Sequence, residues 1–221
     1  IYGVIFLLFA NFCDSIDGQL ARMTGKTSLV GRMLDGFASD VWFFCVYVAI
    51  CIRLFNENIP GTEIHWGGFI WALCIAAGIM AHARQCRLSD YYRNIHLFFL
   101  LGKKGSELDS YESQNAVADK YRAEKNWVGG LFFSNSAKYC GAQDRMTPAF
   151  QALKRDLIDR YGSLDNVPQE FRDDFRKGSL PLMKYTNFLT HNWRAIVLFT
   201  GCLINLPWIY PVFELTVMMV V

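Results

Sequence analysis

Apolar residues gather in four stretches, roughly 1–13, 36–55, 66–83 and 188–221, and a polar, mixed-charge stretch fills 102–186. Helix A is predicted from the start of the chain to about Met23, its apolar part too short to cross a bilayer alone. Gly25, Lys26 and Thr27 make a short polar turn. Helix B runs from about Ser28 to Phe55, and its apolar part is long enough to span. Asn56 to His65, with Pro60-Gly61, reads as a loop. Helix C starts near Trp66, is apolar to Ala83, and carries polar residues from His82 through Arg93. Ile95–Leu101 is too short to cross alone, and either continues helix C at the interface or packs against the bundle. Helix D is predicted over about Thr186 to Leu206, and Asn205-Leu206-Pro207-Trp208 turns the chain into helix E.

Within the polar stretch, Thr147-Pro148 is an N-cap followed by proline at the first helical position. Phe150, Leu153, Leu157, Ile158 and Tyr161 come next at helical spacing, and Gly162 can end that helix. Pro168 to Lys177 repeats the pattern, with Phe171 and Phe175 on one face and Gly178 after it. Leu108 to Lys125 is a weaker helix. Trp127, Leu131, Phe132 and Phe133 surround Gly129-Gly130, and either touch the membrane interface, where tryptophan is favoured, or pack in a core.

Composition agrees with an all-α polytopic membrane protein: 52% of the 221 residues are hydrophobic and 19% charged, against about 25% charged in soluble domains. Three segments result: membrane helices over 1–101, a soluble helical insertion over 102–186, and further membrane helices over 187–221. The chain begins and ends inside apolar runs, so both ends are expected to be cut. The formal net charge of +2 favours no partner, nucleic acid included. The seven cysteines are scattered and read as small buried hydrophobes. Arg22, Lys26 and Arg32 lie at the A–B turn, and Arg84, Arg87, Arg93, Lys103 and Lys104 at the far end of helix C. The positive-inside rule then places the turn and the insertion in the cytoplasm.

The chemistry concentrates at that turn. Asp14-Ser-Ile-Asp17-Gly18-Gln-Leu-Ala21-Arg22 closes helix A, and Gly31, Asp35 and Asp40 begin helix B. Asp14 and Asp17 share one helix face, and Asp35 comes from the facing helix. Three converging carboxylates repel unless cations intervene, and hard oxygen ligands beside a phosphate suit Mg²⁺ or Mn²⁺. Two such ions can clamp a pyrophosphate for in-line displacement. Gly18 and Ala21 leave room for a nucleotide, Arg22 can fork onto phosphate oxygens, and Gly31 gives clearance on helix B.

Read as D-x2-D-G-x2-A-R-x8-G-x3-D, these positions resemble the signature of the CDP-alcohol phosphotransferase family. Seven fixed positions match by chance on the order of 10⁻⁸ per starting point at average residue usage. The resemblance implies a six-helix membrane enzyme, a homodimer, whose first helix is missing here. It implies transfer of a substituted phosphate from a CDP-linked donor to an alcohol, with release of CMP. Asp14, Asp17 and Asp35 would bind metals, and Gly18, Ala21, Arg22 and Gly31 would line the donor site. The family's motif ends D-x3-D with an acid that serves as base. Here Ser39 stands at that spacing and Asp40 one later, about 140° around a regular helix from Asp35. Asp40 is taken as the base, returned to the right face by a π-bulge that Gly36 would ease.

Other polar residues carry two readings each. Arg84, Arg87 and Arg93 either hold a phosphate-bearing acceptor or set topology. His82 and His96 read as helix-end polar residues rather than ligands. Lys184 reads as interfacial. Arg194 lies deeper and should face the bundle or a wet cavity. The insertion is a solvated cap or a lid over the acceptor site. The expected reaction moves a phosphatidyl group from CDP-diacylglycerol to a polar alcohol such as inositol phosphate or glycerol phosphate, in a bacterial cytoplasmic membrane. One alternative passes a headgroup phosphate from CDP-choline or CDP-ethanolamine to diacylglycerol or ceramide. Another is a catalytically silent scaffold or nucleotide-binding protein on the same fold. A transporter is disfavoured because the polar residues gather at one membrane face.

Overall fold

The computed structural model describes residues 2–24, 29–102 and 108–221; the side chains of 11, 14, 15, 17, 18, 21, 22 and 29–36 lie outside the described residues. The chain is 83% helical, with no strand among the described residues. It divides into two units, Ile1–Ala83 with His191–Val221, and Arg84–Thr190.

The first unit contains α1 (Tyr2–Thr24), α2 (Leu29–Leu54), α3 (Gly67–Ala76), a π-helical segment (Ala77–His82), α10 (His191–Leu203) and α11 (Ile209–Leu215). Phe43, Tyr47, Ile50 and Leu54 repeat at helical spacing on α2 and pack with Ile70, Cys74, Leu198 and Tyr210. The opposite faces are also apolar: Phe6 and Phe9 on α1, Phe37 and Phe44 on α2, Phe69 on α3 and Ile196 on α10 are exposed. A helix apolar all round belongs in a core or a bilayer. By length and composition, Phe37–Leu54 and Gly67–Leu101 are apolar enough to cross a membrane.

Helix D is shorter than its apolar pattern predicts. A short helix, α9 (Met183–Phe188), precedes a break, and α10 begins only at His191. The break is chemical: the Thr190 hydroxyl donates to the Asn187 carbonyl at 2.6 Å, a side-chain bond that competes with helix continuation. After α10 ends at Leu203, the Leu206 N–H donates back to the Gly201 carbonyl at 2.7 Å, and an added Cβ at Gly201 would meet the Leu206 oxygen at 3.1 Å.

The second unit contains α4 (Ala83–Leu101) from its second residue, α5 (Tyr111–Ala123), α6 (Trp127–Met146), α7 (Pro148–Tyr161), α8 (Gln169–Ser179) and α9. Its core joins Tyr91, Ile95, Phe98 and Phe99 of α4 to Phe150 and Leu157 of α7, with Phe171 and Phe175 of α8 packed against it. Arg172 is buried there and donates to the carbonyls of Leu164 at 2.9 Å and Val167 at 3.1 Å. Its guanidinium therefore satisfies loop carbonyls that would otherwise be orphaned.

Most of the predicted elements of this unit form, with three differences. Thr147 precedes α7, but its hydroxyl donates backward to the Gln143 carbonyl at 2.8 Å, and no side-chain cap bond reaches α7. Gly178 falls inside α8, which ends at Ser179. The segment after Asn126 is a full helix, which its glycine-interrupted pattern does not predict. Asn126 caps it by accepting from Gly129 N–H at 3.0 Å, and α5 packs along it.

Candidate functional site

The motif lies on the two N-terminal helices. Asp14, Asp17, Gly18, Ala21 and Arg22 fall within the C-terminal half of α1, and Gly31 and Asp35 within the first turns of α2. Their side chains, and the turn at 25–28 between the helices, lie outside the described residues. Ser39 and Asp40 are described, and both are exposed.

The bulge predicted for α2 is not there. The helix is α-helical from Leu29 to Leu54, so Ser39, not Asp40, is in register with Asp35. The π-helical turn sits instead at Ala77–His82.

That π turn leads to a site the sequence did not announce. Glu214 on α11 is fully buried, and so is Arg194 on α10. Arg194 Nε lies 3.3 Å from Glu214 Oε1. His82 Nδ1 lies 3.1 Å from the same oxygen. The Tyr210 hydroxyl donates to Oε1 at 2.9 Å, and the Tyr47 hydroxyl donates to Oε2. One carboxylate thus ties together α2, the π turn, α10 and α11. A π turn adds a residue to the helix and rotates the residues after it, and here it ends on the histidine that meets Glu214. The ring of Phe43, three residues after Asp40, lies 4.2 Å from His82 and 5.3 Å from His191 between centroids.

Arg194 faces the bundle, one of the two placements its depth in helix D implies, and Glu214 holds its guanidinium. His82 and His96 are buried, against their reading as helix-end polar residues, and His96 Nδ1 lies 2.7 Å from Ser179 Oγ. Glu214 escaped notice because one acid in the short run Tyr210–Val221 looks incidental. The available signal was the pairing of a lone acid and a lone arginine in separate apolar runs.

Arg84 and Arg93 are exposed, and the Arg87 guanidinium stacks over the Tyr139 ring at 5.3 Å. Lys184 lies over Tyr185 at 4.8 Å. Among the described residues no three His, Cys, Asp or Glu side chains gather to hold a metal ion. The candidate ligands Asp14, Asp17 and Asp35 lie outside that set. Their donor chemistry, carboxylate oxygens three residues apart on α1 with another on α2, fits a hard divalent cation.

Residues 1–95 match the model of the CDP-alcohol phosphatidyltransferase family. The likeness covers that segment, less than half of the 221 residues. The match takes in α1 to α3, the π turn and most of α4, and it contains every position of the motif. No curated protein and no solved structure matches the chain. The CDP-alcohol phosphatidyltransferase match supports a phosphotransferase enzyme. The family takes a CDP-alcohol and an alcohol acceptor, is generally metal-dependent, and is membrane-associated.

Proposed function

We propose that this chain transfers a phosphatidyl group from CDP-diacylglycerol to a polar alcohol and releases CMP. The observation that carries the reading is the full D-x2-D-G-x2-A-R-x8-G-x3-D spacing across α1 and α2, inside the matched segment. The exposed apolar faces of α1, α2, α3 and α10 support a multi-pass bundle in lipid. The basic residues at the A–B turn support a cytoplasmic motif in a bacterial inner membrane. A homodimer is part of the same reading.

In the reaction the acceptor hydroxyl oxygen forms a bond to the phosphorus that carries the diacylglycerol. The bond from that phosphorus to the bridging oxygen of CMP breaks, and the electron pair leaves with CMP. Asp14, Asp17 and Asp35 are the residues that would hold one or two Mg²⁺ or Mn²⁺ ions beside the pyrophosphate. Bound there, such ions neutralise the charge that grows on the departing phosphate. Arg22 forks onto phosphate oxygens, and Gly18, Ala21 and Gly31 leave space for the cytidine. Asp40 takes the acceptor proton. Ser39 is in register, but a neutral hydroxyl is no base near neutral pH, whereas an aspartate is. With α2 regular, Asp40 lies about 140° around the helix from Asp35, so in this reading the acceptor hydroxyl approaches from a different face than the metal ligands.

CMP release tests this. Full-length protein in detergent with Mg²⁺ or Mn²⁺ is given CDP-diacylglycerol and a panel of alcohols and alcohol phosphates, inositol phosphate and glycerol phosphate included. In parallel, CDP-choline or CDP-ethanolamine is given with lipid alcohols. Acceptor-dependent release in the first arm supports the proposal, and release only in the second reverses the donor. Replacing Asp14, Asp17 or Asp35 by Asn should abolish release in either case.

The regular α2 favours a second reading, a nucleotide-binding scaffold without turnover. Metal-dependent CDP binding with no release in either arm would support that reading over transfer.

A further inference from the structure

The α5–α6 pair is a helical hairpin with an unusually well-fixed tip. Lys125 takes a left-handed backbone (φ 57°), and Asn126 N–H returns to the Tyr121 carbonyl at 2.9 Å. Just beyond, Gly129 and Gly130 let α6 press against α5. An added Cβ at Gly129 would fall 2.6 Å from the Tyr121 ring, and one at Gly130 would fall 2.7 Å from the Arg122 stem. Tyr121 then stacks on Phe133 at 5.0 Å between centroids. Tyr121 and Phe133 thus pack inward at the tip.

Three other apolar residues do not. Trp127 is 74% exposed, Val128 58% and Leu131 56%. They share one face of α6, at positions i, i+1 and i+4, and that face turns away from α5. A tryptophan held outward by a capped, glycine-packed turn is not a core residue waiting for a partner within its own hairpin.

We propose that this tip is an interfacial anchor, with Trp127, Val128 and Leu131 seated at the headgroup level of the bilayer. Tryptophan prefers that depth because its ring is apolar and its N–H polar. The charges beside it agree. Lys120, Arg122 and Lys125 lie near Asp119 and Glu124 in sequence, and Arg122 binds Asp119 at 2.8 Å. Lys120 and Lys125 remain to meet anionic headgroups. A protein partner fits less well, because three side chains fall far short of the roughly 1,000 Å² that a stable interface buries. The anchor would hold the insertion against the surface where a lipid donor and a soluble acceptor must meet. The inference rests on the membrane placement proposed above.

The test uses the full chain in nanodiscs of phosphatidylcholine and phosphatidylglycerol, with nitroxide-bearing lipids as quenchers. The emission of Trp127 is the difference between the native protein and Trp127→Phe. Leu131→Trp in the Trp127→Phe background reads the same face independently, in case the first substitution disturbs the fold. Phe44→Trp, on the exposed face of α2, is the reference for a lipid-facing site. The anchor predicts blue-shifted Trp127 emission, loss of most of it to headgroup-level nitroxide, and protection from aqueous iodide. A Trp127 signal open to iodide, with the Phe44→Trp signal quenched by lipid, overturns the anchor and leaves the membrane placement standing. Protection from iodide without lipid quenching also overturns it, in favour of a second copy or another protein. Lipid quenching absent at both positions overturns the anchor and the membrane placement together.

Discussion

Glu214 and Arg194 form a buried ion pair inside the first unit, 3.3 Å apart. Both are fully buried, and removing one partner of such a pair leaves an uncompensated charge, at a cost of about 3–5 kcal/mol. Arg194→Ala and Glu214→Ala should each lower thermal stability in detergent by that order. Arg194→Met with Glu214→Met should recover much of the loss, and a double-mutant cycle reads the coupling. Cys140 is a second residue with a defined environment. Burial, and then the charges of Asp109 and Asp144, push its thiol up to about 12. It stays a neutral thiol through pH 8–9, and the thiolate is the form that reacts. Cys140 should therefore resist alkylation in the folded protein and become labelled once unit 84–190 opens, as mass spectrometry of the modified peptide would show. Asp40 and Ser39 set the sharpest contrast. Asp40→Asn should lower CMP turnover by roughly 10²–10⁴, the usual range for a lost general base, and Ser39→Ala far less. The reverse result would move the base elsewhere.

Among the elements, helices with one unbroken apolar face were legible from the residues: α1, α2 and α7 form close to where spacing and punctuation put them. Gly162 does end α7, with φ 76°, a conformation that costs a residue with a Cβ about 1–2 kcal/mol. Gly162→Ala should lower the unfolding free energy by that much, and Gly162→Asn by less. The elements that escaped are set by tertiary or local polar chemistry. The break before α10 depends on the Thr190 hydroxyl, which competes with the helix from within an apolar run. The π turn at Ala77–His82 has no signature in Ala-Gly-Ile-Met-Ala-His, and makes sense only once Glu214 is known to wait for His82. Helix α6 needs two glycines for its contact with α5, and glycines lower any propensity-based expectation of a helix. Gly129→Leu should separate α5 from α6 and raise amide exchange in both, without touching α7 or α8.

At the scale of the whole molecule, the order of the chain differs from the order of packing. The first unit is interrupted at Ala83 and resumed at His191. The candidate motif stands out in the sequence because its residues lie close together along the chain. The buried polar cluster does not, because its members come from both sides of the interruption. Glu214 lies 132 residues after His82 and 167 after Tyr47. At synthesis rates of about 5–20 residues per second, roughly 7 to 26 seconds pass between the emergence of His82 and that of its partner. Until Glu214 emerges, His82 and the Tyr47 hydroxyl lack the carboxylate that they meet in the folded unit. A ribosome stalled within 191–213 would leave a first unit without that carboxylate. The first unit therefore depends on a late-emerging helix, α11, to supply the carboxylate that His82 and Tyr47 meet.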